Sequence, residues 1–391
     1  MTEKKASSRA WLLETILFFT YAFFAVNWIA GSTLTPNIME TFQLDSYASA
    51  TFISNAITIA KIIGNFCAAG ILVKLQPKKA IGLGSLLIVL GCVLAFTAPA
   101  YWIFIAGRFL MGFGGAIYVV YFSPVVLYYF TGQQRVVVNT LNGACYNVGS
   151  ILAMIIVSPV IAWLVSWRYS MAFFAAISAV LFVLWLVFGE NFPLAAARNQ
   201  ESWPMKDALK DRFNWIFPFT YSGLLTFYLV LLTLYPISNL SSIDSKTLST
   251  LVAIGGIAGS LISIALGKVY HLRLPVIRWC GLGMTAFGAL MLFVHTPIVE
   301  MISAFLIGMF MFLPVTSLVT IPQELKGMTP ARLTTVMGLF WAISYIIETI
   351  VYFIIGKVID TAGFQTGILI ALICSLTFFA GSFLLPETGK K

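Results

Sequence analysis

Charge is what this sequence has least of. Asp, Glu, Lys and Arg together make up 9% of its 391 residues, whereas hydrophobic residues make up 60%. A soluble globular domain carries about 25% charged residues, so one water-soluble core cannot enclose this many apolar side chains. The composition therefore excludes a soluble protein and indicates that the main partner of the chain is a lipid bilayer.

Metal-ligating and nucleophilic side chains are also scarce. The two histidines, His271 and His295, stand apart in the sequence, and there is no phosphate-binding glycine loop. The five cysteines have no paired spacing and no histidine cluster beside them, which favours buried apolar thiols over disulfides or metal ligands. We therefore expect no enzyme, no cofactor and no metal site.

Long apolar runs are what the sequence has in abundance. A helix needs roughly 20 apolar residues to cross the hydrocarbon layer, and about twelve runs of that length follow one another along the chain. This predicts an all-α integral membrane protein with twelve transmembrane helices. The expected spans are 11–33, 47–73, 80–98, 101–129, 136–161, 170–189, 213–237, 247–269, 275–295, 297–321, 332–357 and 364–385.

Basic residues are distributed unequally between the two sides of this arrangement. The outer loops hold only Arg168, Lys246 and Lys357, and nearly all other lysines and arginines fall in inner segments. By the positive-inside rule, both termini are expected in the cytoplasm of a bacterial-type inner membrane. The net charge of +9 then requires no nucleic-acid partner, and we expect a monomer.

The longest polar stretch divides the twelve spans into six and six. We interpret residues 1–189 as one six-helix bundle, 190–212 as a cytoplasmic linker and 213–391 as a second bundle. Short motifs recur at an offset of about 196 residues, which predicts pseudo-symmetry between the halves. The recurring positions are Gly70 and Gly267, "FLMG" at Phe109 to Gly112 and "FLIG" at Phe305 to Gly308, and Arg135 and Arg332.

Two motifs of the first half resemble those of the major facilitator superfamily. The fourth span carries "GRFLMGFGGA", which is similar to the family's Arg-x-x-x-Gly-x-Gly pattern at Arg108, Gly112 and Gly114. The resemblance covers nearly the whole chain and implies a secondary transporter that works by alternating access. The glycines are more easily explained as helix-packing contacts than as ligands.

The second motif is a degenerate form of the family's basic loop. It begins at Gly70 in "GILVKLQPKK" and keeps the basic end at Lys78 and Lys79, but Lys74 and Pro77 replace the usual acidic residue and glycine. The stretch "PQELKGMTPARLTTVMGLFWA" has a weak similarity to cyanate- and nitrate-type porters. The eighth span has no interior arginine to complete a nitrate site.

A lysine lies in the middle of the second span. A charge at this depth costs roughly 3 kcal/mol on insertion scales, so Lys61 is expected to face protein or water. Ser54, Thr58, Lys61 and Asn65 follow helical spacing and form one polar stripe. The stripe predicts that Lys61 lines the translocation pathway, and the alternative is a structural lysine that pins two helices.

The eleventh span supplies a possible counter-charge, Glu348, which shares a helix face with Trp341, Ser344 and Tyr352. In the family resembled, the second and eleventh helices meet between the halves. A Lys61–Glu348 pair would then form and break during transport, and Glu348 would act in coupling or gating. The alternative is that Glu348 pairs within its own half or is protonated.

Two more charged residues lie within the predicted spans and are candidate functional residues. Arg108 is a candidate anion ligand because a guanidinium suits carboxylate or phosphate, and the alternative is that it hydrogen-bonds backbone carbonyls of a neighbouring helix. Glu14 is interpreted as an interfacial charge, with proton coupling as a lesser role. The uncharged candidates for the pathway are Asn27, Asn142, Tyr146, Tyr221 and Tyr228.

These features predict transport of a small solute, an organic or inorganic anion or a zwitterion, driven by a proton or a counter-solute. An anion entering a negative-inside cell opposes about 2.3 kcal/mol per charge at 100 mV, so uptake needs coupling. Two alternatives stay open: efflux of hydrophobic drugs or metabolites, and a non-transporting nutrient sensor.

Overall fold

The computed structural model describes residues 7–44, 47–192, 203–235, 238 and 240–389, and the long regular elements among them are all α-helices. We number the helices in chain order. Their bounds are α1 Ser8–Thr33, α2 Thr35–Phe42, α3 Tyr47–Thr97, α4 Tyr101–Tyr129, α5 Gly132–Leu164, α6 Trp167–Phe188, α7 Met205–Ala208, α8 Phe213–Thr233, α9 Ser245–Val269, α10 Leu274–Phe293, α11 Pro297–Phe312, α12 Val315–Glu324 and α13 Pro330–Gly381.

Eleven stretches of the described helices are long and apolar enough to cross a membrane. One of them, Phe52–Thr97 in α3, has 46 residues, which at 1.5 Å per residue is about twice the thickness of the hydrocarbon layer. Gln76 interrupts this stretch with a φ of 63°, so it supplies two crossings. The total is twelve, and the predicted all-α membrane fold is confirmed.

The helix breaks differ from the expected loops in three places. Gly70 was expected to open a loop, but it lies inside α3, and the break comes at Gln76, directly before Pro77. Within α13 the break is at Gly363, whose φ of 83° suits glycine. The expected span 297–321 is divided into α11 and α12 at Pro314, because proline cannot donate a backbone hydrogen bond to continue the helix.

The chain forms two compact units. Unit 1 consists of Met1–Thr131, Val148–Ser202 and Thr329–Gly338, and unit 2 consists of Gly132–Asn147, Trp203–Met328 and Leu339–Lys391. The units follow the two halves of the sequence except for the first part of α5 and a short piece at the start of α13. The division at residues 190–212 remains a prediction.

Glycines let neighbouring helices of unit 1 touch through their backbones. A methyl group at Gly112 of α4 would lie 2.7 Å from Ile57 Cα and 2.9 Å from the Ile57 carbonyl oxygen of α3. Gly114 faces the second arm of α3, where a methyl group would lie 2.5 Å from the Gly84 carbonyl oxygen. Small residues at these points allow the close approach of helices that lipid does not drive together.

The same contacts recur in unit 2 at the offset found in the sequence. Gly112 meets Ile57, and Gly308 meets the carbonyl group of Val252 in the same way. Gly64 lies against the Phe113 carbonyl group, as Gly259 lies against that of Met309. The positions of each pair differ by 195 or 196 residues, so the sequence repeat is also a repeat of helix packing.

Replacing Gly112 with alanine is therefore expected to destabilise the protein. Overpacking against the rigid backbone at Ile57 costs about 1–3 kcal/mol, which exceeds the gain in helix propensity of about 1 kcal/mol at most. Gly70→Ala is the matched control, since no atom lies within 4 Å of the added methyl group. Thermal denaturation in detergent should show a lower midpoint for Gly112→Ala and an unchanged or higher one for Gly70→Ala. Equal midpoints would contradict the packing role.

A buried carboxylate that sequence reasoning missed organises the connection between α8 and α9. Glu300, in the first turn of α11, is completely buried. It accepts hydrogen bonds from the Tyr235 hydroxyl at 3.1 Å, the Ser241 hydroxyl at 3.1 Å and the Ser242 backbone N–H at 2.8 Å. Tyr235 is thus a buried partner of Glu300.

The segment after α13 is attached to the N-terminus of α10. The backbone N–H groups of Arg273 and Leu274 donate to the Glu387 carboxylate at 2.8 and 2.9 Å. Arg273 also forms an ion pair with Glu324 at 2.8 Å, and the Thr388 hydroxyl donates to Glu324. Partial burial raises the pKa of Glu387, but these N–H donors and Arg273 outweigh it and lower the pKa below its ordinary value.

This lowered pKa predicts an acid-sensitive attachment. A carboxyl group whose folded pKa is depressed contributes stability above its unfolded pKa of about 4.3, and that contribution is lost as the pH falls further. Glu387→Gln should cost about 1 kcal/mol at neutral pH, the usual value of a lost helix cap. Below pH 4 the stabilities of wild type and variant should converge in thermal denaturation, and a constant difference down to pH 3 would contradict the cap.

Candidate functional site

The predicted site residues fall in both units. Lys61 belongs to unit 1 and Glu348 to unit 2, so their pairing remains a prediction. Within unit 1 the candidates are Lys61, Arg108, Asn27 and Glu14. Within unit 2 they are Asn142, Tyr146, Tyr221, Tyr228 and Glu348.

Lys61 is deeply buried in the first arm of α3. Its side chain is 2% exposed, and its ammonium nitrogen lies 4.2 Å from the ring centre of Trp28 and 5.5 Å from that of Phe24 in α1. Aromatic faces attract a cation electrostatically without neutralising it. Lys61 is therefore a buried cation held against two rings of α1.

Asn65 lies one helical turn beyond Lys61 on the same face. It is 0% exposed, and neither its amide nitrogen nor its amide oxygen has a hydrogen-bond partner among the described residues. A buried amide without partners costs about 1–3 kcal/mol. Residues four apart on a helix have Cβ atoms about 5–6 Å apart, so the ammonium of Lys61 and the amide of Asn65 suit one carboxylate, alone or beside an amino group.

The guanidinium of Arg108 makes its hydrogen bonds within the protein. Its guanidinium donates to the carbonyl oxygens of Ile53 at 3.0 Å, Asn27 at 2.9 Å and Trp28 at 2.8 Å. It is completely buried and packs over Gly31. The structure therefore agrees with the alternative, in which Arg108 hydrogen-bonds backbone carbonyl groups. The expectation that Arg108 binds an anion is corrected, because its guanidinium connects α4 to α1 and α3.

Asn27 also has a structural position. Its amide nitrogen donates to the Ser178 hydroxyl of α6 at 3.1 Å and to the Phe23 carbonyl oxygen of its own helix at 2.8 Å. The amide nitrogen of Asn27 thus faces the contact between α1 and α6, whereas its amide oxygen has no partner among the described residues. The assignment of Asn27 to the pathway remains a prediction.

Glu14 is not an interfacial charge. It is 3% exposed and lies within Coulombic range of Tyr118, whose hydroxyl accepts a hydrogen bond from Ser85 at 3.1 Å. The expectation failed because distance from the start of a helix does not measure depth when other helices cover that end. Its lesser assignment to coupling remains a prediction.

The motif residues have packing or surface roles. Gly112 and Gly114 make the close backbone contacts described above, and Gly70 makes none. The backbone of Lys78 connects α3 to the end of α6, since its N–H donates to Asn191 at 3.0 Å and its carbonyl accepts from Trp185 at 3.0 Å. Lys79 is exposed.

Unit 2 brings several predicted pathway residues together. Tyr228 lies within Coulombic range of Tyr146 and Tyr221, and Tyr345 lies within that range of Tyr146, Tyr221 and Glu348. The helices that carry them are α5, α8 and the first arm of α13. These residues come from three helices, and the fold brings Tyr146, Tyr221 and Glu348 within electrostatic range of Tyr345.

Glu348 is a buried carboxyl group in this cluster. It is 3% exposed, and the hydroxyl of Thr349 lies 3.3 Å from its Oε2. A buried carboxyl group in a low-dielectric span can exchange a proton without carrying a permanent charge through the membrane. This is the chemistry expected of a coupling residue.

Some buried amide groups of α5 have no hydrogen-bond partner among the described residues. Both amide atoms of Asn142 lack a hydrogen-bond partner among the described residues, and so does the amide nitrogen of Asn147. Sequence reasoning included Asn142 but missed Asn147 and Tyr345. The available signal was the recurrence of asparagine at 139, 142 and 147 in an otherwise apolar span.

Polar contacts hold the first part of α5 in unit 2. The amides of Asn139 and Gln323 donate to each other at 3.0 and 3.4 Å, and the hydroxyls of Thr140 and Thr316 lie 3.0 Å apart. These contacts connect α5, from the first half of the sequence, to α12 in the second half. Asn139 is therefore an interhelical contact and not a helix cap.

Comparison with known proteins agrees with this architecture. The profile of the Major Facilitator Superfamily matches residues 16–346. An uncharacterised protein of Campylobacter jejuni is 30% identical over 224 residues, which cover 57% of this chain and 69% of that protein.

Solved structures show the same fold. The proton:xylose symporter XylE, bound to 6-bromo-6-deoxy-D-glucose, has a TM-score of 0.79 at 13% identity over 99% of this chain and 98% of its own. The human organic anion transporter MFSD10 has a TM-score of 0.73 at 14% identity over 96% of this chain and 99% of its own. At these identities the likeness concerns the fold alone.

Proposed function

Because this chain belongs to the Major Facilitator Superfamily and is a membrane transporter rather than an enzyme, we propose that it moves a small organic anion or zwitterion together with a proton. Lys61 and Asn65 bind the carboxylate of the solute, and Glu348 carries the proton. Transport proceeds by alternating access of two six-helix halves, residues 1–189 and 213–391.

The observation that carries the anionic substrate is the buried ammonium of Lys61. It lies over Trp28 and Phe24 and one turn from an amide whose atoms have no partner among the described residues. A lysine with only a packing role would gain nothing from that amide. An organic carboxylate uses both groups, and its apolar part is compatible with the neighbouring rings.

The electrical cost of anion uptake is the reason for proposing that a proton is transported with the solute. Moving one negative charge into a negative-inside cell opposes about 2.3 kcal/mol at 100 mV, and one accompanying proton removes that cost. Glu348 is the buried carboxyl group of the tyrosine cluster. The solved relatives are described as a proton symporter and an organic anion transporter, which is compatible with both parts of the proposal.

The distribution of basic residues supports the orientation. With both termini in the cytoplasm, the inner segments carry nearly all lysines and arginines of the loops, as the positive-inside rule requires. We propose a bacterial-type inner membrane and a monomeric transporter, and no further chain is needed for the groups described.

The proposal is tested by a thermal-shift screen of the purified protein against organic carboxylates, amino acids, inorganic anions and amines. An organic anion or zwitterion should raise the melting temperature in a saturable way, and amines should not. Stabilisation by amines or neutral hydrophobic compounds alone would refute the anionic substrate and favour efflux.

A further inference from the structure

Aromatic rings of two helices form a continuous wall in unit 2. Tyr221 of α8 packs edge-on against Trp341 of α13 at 5.6 Å, and its ring is tilted by 41° against that of Phe340 at 5.0 Å. Trp341 also stacks on Tyr345 at 6.0 Å with an angle of 26° between the rings. We call Tyr221, Phe340, Trp341 and Tyr345 the aromatic wall.

Two buried hydrogen-bond donors of unit 2 have no partners among the described residues, one in the wall and one beside Tyr228. The indole N–H of Trp341 is buried and has no acceptor among the described residues. Asn147 is 0% exposed, and its amide oxygen faces the Tyr228 hydroxyl at 3.5 Å while its NH₂ group has no acceptor in the described part of the chain.

The two donors are held by different residues of α8. Asn147 meets the Tyr228 hydroxyl, and Trp341 packs against Tyr221, which lies on the same helix as Tyr228. The side chain of Asn147 also lies against Gly256 of α9, where a methyl group would come within 2.8 Å of its nitrogen. The donors are therefore held in place by packing and do not depend on mobile loops.

The unpaired N–H groups of Trp341 and Asn147 indicate the chemistry of a ligand that binds beside them. An indole N–H can only donate, and the free NH₂ group of Asn147 can only donate as well. Leaving such groups unpaired costs about 1–3 kcal/mol each, so a solute that binds here presents acceptors to them. The rings beside them offer flat apolar faces, which favour a ring in the solute by stacking.

We propose that the aromatic wall and the donors of Trp341 and Asn147 bind the ring of the transported solute. The substrate is then a cyclic or aromatic carboxylate with further hydrogen-bond acceptors, and not a short-chain or inorganic anion. The carboxylate part of this statement rests on the function proposed above, and the ring part rests on unit 2 alone.

The test compares binding of benzoate, nicotinate, acetate and neutral benzyl alcohol to the full-length protein in detergent, by thermal shift and by calorimetry. The two ring acids should bind at least about tenfold more tightly than acetate. Trp341→Phe keeps a ring but removes the N–H donor, and should weaken nicotinate, which has an additional ring acceptor, about fivefold. Trp279→Phe is the matched control, since Trp279 lies in the same unit and is 72% exposed.

A second variant keeps the test independent of how well Trp341→Phe folds. Asn147→Leu removes the NH₂ donor at similar volume without adding a charge and should also weaken the ring acids. Acetate that binds as tightly as benzoate, or unchanged nicotinate binding by both variants, would overturn the ring site. Benzyl alcohol that binds as tightly as benzoate and is weakened by the Asn147 variant would support the ring site and refute the anionic substrate.

Discussion

Replacing Lys61 with methionine is expected to weaken binding of organic anions about tenfold to a hundredfold, because a charged hydrogen bond to a buried carboxylate is worth about 1.5–3 kcal/mol. Saturable uptake into proteoliposomes should fall about fivefold to fiftyfold at substrate concentrations near the wild-type Kd, because occupancy falls from about one half to between about 9% and about 1%. Lys61→Arg should retain part of the binding, since the charge remains on a group of different shape.

The same substitution should leave the fold as stable as before or more stable. Methionine has nearly the length of lysine, and replacing a buried charge by a well-packed apolar side chain is often neutral or stabilising. Lys74→Met is the control, because Lys74 lies in the same helix and is exposed. A large drop in the melting temperature of Lys61→Met with unchanged anion binding would identify Lys61 as a packing residue that joins α3 to Trp28 and Phe24.

Replacing Glu348 with glutamine is expected to separate solute movement from proton movement. Glutamine keeps the shape of the side chain and its contact with Thr349 but cannot exchange a proton. With a gradient of one pH unit and no membrane potential, the wild type should accumulate a monovalent anion about tenfold. Glu348→Gln should only equilibrate it, while exchange of labelled for unlabelled solute continues.

The exposed Glu40 provides the control for this experiment. Glu40→Gln should accumulate the anion as the wild type does. Glu14→Gln tests the lesser candidate, and loss of accumulation there with wild-type behaviour of Glu348→Gln would transfer the coupling role to unit 1. Accumulation by Glu348→Gln at the wild-type level would contradict the assignment of Glu348.

The spans and the repeat were predictable from the sequence for a simple reason. Apolar run length is read directly from the chain, and a helix can satisfy its own backbone hydrogen bonds in lipid, so neighbouring elements need not be known. The recurring glycines also carried structural information, since Gly112 and Gly308 make equivalent contacts with Ile57 and Val252. The exact breaks at Gln76 and Pro314 were less evident, because proline is compatible with several positions near a helix end.

The partners of individual polar residues were not predictable in the same way. Helical spacing grouped Lys61 with Asn65, and depth within the apolar run singled out Asn27, whose amide nitrogen meets Ser178 of α6. Arg108 had two equal interpretations until its three carbonyl partners were located. Periodicity assigns residues to one face of a helix, and only the tertiary fold determines which neighbour that face meets.

The most direct test of proton-coupled anion transport is the pH change that accompanies uptake. Proteoliposomes in weak buffer are given the anion that produced the largest thermal shift, with the membrane potential clamped by potassium and valinomycin, and protein-free liposomes correct for diffusion of the free acid. The wild type should make the external medium more alkaline in proportion to the solute taken up, and Lys61→Met and Glu348→Gln should not. Solute uptake without a pH change, or with external acidification, would contradict symport with a proton.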